Sequence, residues 1–239
     1  MSLDGNQIQL QLNEIKKKTH TLIVISFLTA FLYWNLVRSN LIGNEIQHGV
    51  GWPMFICPFL LFLLYRLADQ KFSFTRYIAF AIAICFGVLL GSLSGVFEQR
   101  MNGIIIQSVT ITFSSALAII FLYKNKFIKV NDKFDEFFVF VVCVLSLSLL
   151  IDFVMSFIDL NWHSLYKGNS TSGIVLNCIL LLLGYLVYII ELSIVDEKLN
   201  SEMVSKEQLW FYSIELLIDI AWIYFVVFFL LGRLRGRKK

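Results

Sequence analysis

Seven apolar runs, each about as long as a bilayer is thick, constrain this chain more than any motif it carries. They fall near residues 21–38, 49–67, 77–97, 103–123, 137–158, 173–195 and 209–231. Each is close to the roughly 20 residues that an α-helix needs to cross the hydrocarbon core. In lipid every backbone N–H and C=O must be satisfied within the segment, so such runs read as helices. The seven use about 140 positions, and the connections between them are too short to fold as soluble domains. Composition agrees. The 239 residues are 58% hydrophobic and only 15% charged, with a mean hydropathy of +0.75, well outside the range of a soluble domain. The expected fold is an all-α integral membrane bundle of about seven spans. It is divided into an N-terminal tail (1–20), a transmembrane domain (21–231) and a basic C-terminal tail (232–239).

The first span follows Lys16, Lys17 and Lys18 as a secretory signal would. Its apolar stretch is longer than a signal core and no small-x-small cleavage site precedes Arg38, so it reads as a retained signal-anchor helix. Ahead of it, Gln7 to Ile15 alternates apolar and polar residues weakly, consistent with a short interfacial helix or a disordered tail. Lys and Arg in the connections, from the N-terminal tail onward, number three, one, three, one, four, one and two. The higher counts mark the cytosolic side and place the N-terminus there. Arg233, Arg235, Arg237, Lys238 and Lys239 break this pattern, because seven complete crossings would export them. Either the last segment is re-entrant or a basic tail is exported late; full crossing is the reading adopted.

Several function classes are excluded or left without support. The basic residues are split among separate loops and form no stripe for nucleic acid. Cys57, Cys85, Cys143 and Cys178 all fall inside predicted spans, scattered in a way that suits reduced, buried packing residues rather than a zinc site or disulfide framework. His20, His48 and His163 lie outside the span interiors, which leaves a serine–histidine pair or an intramembrane zinc hard to build. "GSLSG" misses the nucleophile-elbow pattern at Leu93, and no H-E-x-x-H is present. The chain is not expected to be an enzyme or to hold a cofactor.

Acids inside apolar spans carry the functional signal. Asp152 lies late in span five, Glu191 near the end of span six, and Glu215 and Asp219 within span seven. A carboxylate at mid-helix costs about 2.5–3.5 kcal/mol on insertion scales, so several together imply compensation. Glu215 and Asp219 share a helix face about 6 Å apart along the axis. Like charge and burial both favour the protonated form, so proton uptake or loss would act as a switch. A bound cation could serve instead, since hard carboxylate oxygens suit calcium, although two or three acids fall short of its usual six to eight ligands. The plainer alternative is that the acids stay protonated and hydrogen-bond between helices, for example to Asn177, Ser213 or backbone carbonyls. In span three, Gly87, Gly91 and Gly95 form a small-xxx-small stripe suited to close helix packing. In span four, Gln107, Thr110, Thr112, Ser114 and Ser115 could line a polar path or bond between helices.

From Gly87 to Phe113 the chain reads GVLLGSLSGVFEQRMNGIIIQSVTITF. This stretch resembles the Bax inhibitor family, the transmembrane Bax-inhibitor-motif proteins, in its bacterial branch. Gly91, Ser94, Phe97, Glu98, Gly103, Ile104, Gln107, Thr112 and Phe113 carry the match. The basic connection FLYKNKFIKVNDKF and the final hairpin with its AWIYF extend the resemblance over roughly residues 77 to 235. It implies seven helices with one central, and a pH-sensitive calcium leak controlled by two acids on the last two spans. The span-six acid is Glu191, where the family usually has Asp. Its partner is Asp219 by counting back from Trp222 and Tyr224, or Glu215 by depth from the membrane edge, and Asp219 is preferred. Phe86 departs from the acid that many bacterial relatives place before the first stripe glycine. Relatives said to associate with membrane proteases give an alternative, a non-transporting scaffold that binds a protease or another envelope protein. The bacterial-like motif implies the inner membrane of a bacterium.

Overall fold

The computed structural model describes residues 5–38, 46–70, 74–98, 103–125, 136, 138–144, 147, 171–201 and 204–236. The described residues are helical almost throughout, without a strand. In chain order they form α1 (Gly5–Arg38), α2 (Ile46–Gln70), α3 (Thr75–Glu98), α4 (Ile104–Lys124), α5 (described over 138–144), α6 (Thr171–Ser201) and α7 (Lys206–Gly236). Among the described residues, each expected span falls on one of these helices. Stretches of α1, α3 and α4, together with all of α6 and α7, are long and apolar enough to cross a membrane. Most of span five and the basic connection after α4 lie outside the described residues.

The chain divides into two compact units. One comprises residues 1–105 and 194–221, the other residues 106–193 and 222–239. In the first unit α1 packs closely on α3, and the glycine stripe is the reason. A Cβ on Gly87 would lie 2.5 Å from the Ser26 carbonyl and from Thr29 Cβ, and one on Gly91 would lie 2.6 Å from the Ala30 carbonyl. Lipid tails are as apolar as the side chains, so association must come from van der Waals contact, which the missing side chains permit. Ser26 seals the seam by lying within hydrogen-bond reach of the carbonyls of Leu22 and Ala83, at 3.0 and 2.9 Å. The surroundings of Gly95 lie outside the described residues.

Two findings differ from expectation. First, α1 begins at Gly5, sixteen residues before the expected span, so of the two readings of Gln7 to Ile15 the helical one holds, but within one 34-residue helix rather than as a separate interfacial helix. Secondly, the cysteines are free as expected, but Cys143 and Cys178 are exposed while Cys57 is buried and Cys85 half-buried. Exposed apolar side chains such as Phe31, Phe62, Ile106 and Leu182 are what a lipid-facing surface requires.

Helix α7 carries the last segment. It is unbroken over 31 residues, about 46 Å at the rise of an α-helix. In the first unit Lys18 Nζ lies 3.5 Å from the Lys206 carbonyl and Gln11 Nε2 lies 3.4 Å from that of Val204, so α1 and α7 start at the same face. In the second unit Arg235 Nη2 donates to Gln107 Oε1 at 2.7 Å, so α7 ends level with the start of α4. Through Gly236 the C-terminal residues continue α7.

Candidate functional site

The acids singled out in the last two spans occupy ordinary helical positions on α6 and α7. Neither helix is kept straight by an amphipathic pattern; both are apolar nearly all round, as spans buried in lipid and protein are. Glu215 and Asp219 sit one turn apart on α7, both half-buried and both in the first unit. Glu191 is half-buried on α6 and belongs to the second unit. Asp152 lies outside the described residues.

Glu215 has a partner that no sequence pattern announced. The Tyr65 hydroxyl of α2 lies 3.2 Å from Glu215 Oε1, and the Tyr65 ring stacks on Phe211, one turn earlier on α7, with centroids 5.8 Å apart. The stacking fixes where the tyrosine lies, and the hydroxyl then meets the next turn. A phenolic hydroxyl can donate to a carboxylate or accept from a carboxylic acid. This contact therefore tolerates either protonation state of Glu215 by reversing direction. What protonation changes is the charge one turn from Asp219.

Of the two alternative donors proposed for these acids, Ser213 is occupied elsewhere. Ser213 is fully buried, with its hydroxyl 2.7 Å from the Leu209 carbonyl and 3.4 Å from that of Ile15 on α1. Asn177 is buried at 4% exposure, and its amide nitrogen meets no acceptor among the described residues. Ser213 is therefore not a donor to Glu215 or Asp219 in this structure.

The polar residues of α4 divide by face. Gln107, Thr110 and Ser114 are exposed. Thr110 returns its hydroxyl to the Ile106 carbonyl (2.8 Å) and Gln107 receives Arg235, so these residues line no buried path. Ser115, half-buried, bonds the Thr112 carbonyl at 2.9 Å. The inward face runs Ile104, Ser108, Thr112, Ala116 and Ile119, at a spacing of three or four. Gly103 opens the helix with φ +76°, a conformation that a side chain would strain. The positions that carried the motif resemblance thus have distinct structural uses. Gly103 turns the chain into α4, Gln107 ties α4 to the end of α7, and Thr112 is buried.

Within either unit, among the described residues, no three His, Cys, Asp or Glu side chains gather as a metal ion would need. Sequence reasoning missed Tyr65, and also Lys18 and Trp210, whose contact closes the start of α7. Tyr65 stands 150 residues before Glu215 and follows no spacing rule. Only the presence of a hydroxyl in an otherwise apolar span could have marked it.

A family model described as Bax inhibitor 1 like matches residues 3–236, nearly the whole chain. No curated protein and no solved structure matches it.

Proposed function

The chain belongs to the Bax inhibitor 1 like family, and from that premise we propose that it is a pH-modulated cation leak pathway, with calcium as the conducted ion. The observation that carries this reading is Glu215. It is an ionisable side chain half-buried in an apolar helix and held by a hydroxyl from a different helix. Intramembrane acids are expensive and mark ion or proton pathways by default. In the proposed closed state Glu191 shares a proton with an acid of α7. Asp219 is the first choice, and the Tyr65 contact supports Glu215 beside it. Deprotonation places like charges close together and opens or hydrates the path. Leak therefore rises as the pair loses its shared proton. Calcium and protons are the small partners on this reading, with no catalytic step and no resident cofactor. The membrane is that of a bacterial cell, with the N-terminus in the cytosol as the loop charges require.

The test is reconstitution into liposomes carrying a calcium indicator, with the external pH varied. Wild-type protein should leak calcium in a pH-dependent way. Glu191→Gln with Asp219→Asn should flatten that dependence, and Glu215→Gln should shift it. Traces from wild type and the double variant that both match empty vesicles would end the reading. The alternative is a non-transporting scaffold that binds a membrane protease or another envelope protein, and copurification that survives neutralising the acids but fails on removing a tail would favour it.

A further inference from the structure

Helix α1 is longer than a crossing needs. Its 34 residues extend about 51 Å against a hydrocarbon core of about 30 Å, so several turns overhang. Nothing about spanning requires that overhang to be helical, and a weakly patterned run of this length is marginal as an isolated helix. It is held because one face is docked. Ile15, Thr19 and Leu22, spaced by four and three, are 1%, 7% and 0% exposed, and Leu209 on α7 is 2% exposed.

We propose that the overhang of α1 is an intramolecular clamp on the start of α7, with Lys18 as its pin. Gln11 reaches the Val204 carbonyl, and the Ile15 carbonyl lies 3.4 Å from the Ser213 hydroxyl. Lys18 turns inward, with its side chain 15% exposed, while Lys16 and Lys17 are exposed. Its ammonium sits 5.2 Å from the centre of the Trp210 ring, 3.5 Å from the Lys206 carbonyl and 3.4 Å from Glu14. Trp210 is backed by Phe80 of α3, with centroids 5.4 Å apart. The first two turns of α7 are thus held between α1 and α3, just before the turn that carries Glu215. The polar contacts of the clamp lie at 3.4–3.5 Å, the long end of hydrogen bonding. Such a clamp is weak enough to open and close. Its effect on leak rests on the reading above, whereas its effect on α7 does not.

Hydrogen exchange on the full chain in nanodiscs tests it. Lys18→Met keeps the packing stem and removes the charge. Exchange across residues 204–215 should rise about fivefold, as loss of a partly desolvated cation–π contact implies, while residues 222–236 keep wild-type rates. Lys18→Arg should preserve protection. Trp210→Phe should match Lys18→Met, and the two combined should add nothing further. Deleting residues 2–12, which leaves Lys16 to Lys18 to set orientation, should give a smaller rise at the same place. Unchanged exchange at 204–215 in Lys18→Met, or an equal rise across 222–236, overturns the clamp. Calcium flux on the same samples separates the two ideas. A wild type that does not leak ends the leak reading alone, and unaltered exchange ends the clamp whatever the flux.

Discussion

The two halves of α7 are held by different physics. Its first half, in the first unit, is gripped through mixed polar and aromatic contacts: Lys18 over Trp210, Ser213 near the Ile15 carbonyl, and Tyr65 on Phe211 and Glu215. Its second half, in the second unit, is held by apolar burial, with Ile223, Val227 and Phe228 at 0%, 2% and 1% exposed, and its own aromatic rings contact one another along the helix. Tyr224 stacks on Phe228 with centroids 5.9 Å apart, Phe225 and Phe229 meet these rings edge-on, and Gly184 of α6 admits the Trp222 indole. Arg235 on Gln107 adds a polar tie at the far end. Apolar burial gives a well-filled, fixed contact. Polar contacts in a membrane are individually small, about 0.6 kcal/mol on average, but they alone can respond to charge. One half of the helix is built to stay and the other to be adjusted.

The largest effect should come from breaking the fixed half. Phe228 is 1% exposed, and Phe228→Ala should cost about 3 kcal/mol of stability in detergent. That is the low end of the usual range because lipid removes most of the transfer contribution. A loss below about 1 kcal/mol would mean that the aromatic end is not what anchors α7.

The next test compares two glycines. Gly87→Ala forces a methyl against the Ser26 backbone, which cannot yield, and should destabilise by about 1–3 kcal/mol. Gly184→Ala meets only the Trp222 and Ile223 side chains, at 3.1 and 3.3 Å, and these can shift. It should fall within about 1 kcal/mol of wild type, helped by the better helix propensity of alanine. Thermal unfolding of the two variants side by side checks the order.

The smallest stability effect, and the most informative, belongs to Tyr65→Phe. It keeps the ring on Phe211 and removes the hydroxyl from Glu215, so stability should fall by only about 0.6 kcal/mol. Any pH-dependent leak should then shift its pH profile, and Glu215→Gln should abolish that shift. A shift that persists with Gln at 215 would move the action of Tyr65 elsewhere.

Hydropathy alone located the spans, because a bilayer demands continuous apolar runs and the chain supplies them in order. The Gly87 and Gly91 stripe was legible as packing for a similar reason, since a four-residue spacing defines one helix face in any environment. The overhang of α1 was not legible. The stretch from Gln7 to Ile15 has too little pattern to form a helix unaided, and its helicity depends on a surface supplied by α7. Nor could spacing separate Gln107, Thr110 and Ser114 from Thr112. Which face of α4 turns inward depends on its neighbours rather than on its own composition.

What the sequence determined by itself is the class of protein, the order of its spans and the presence of acids where lipid makes them costly. Each follows from the chain's relation to the solvent around it. Only the tertiary structure decided that α7 runs unbroken, that Tyr65 meets Glu215, and that Lys18 closes on Trp210. These contacts join residues up to 192 positions apart, as between Lys18 and Trp210. Such pairs leave no periodic trace, because they depend on how helices lie side by side and not on how any one of them is written.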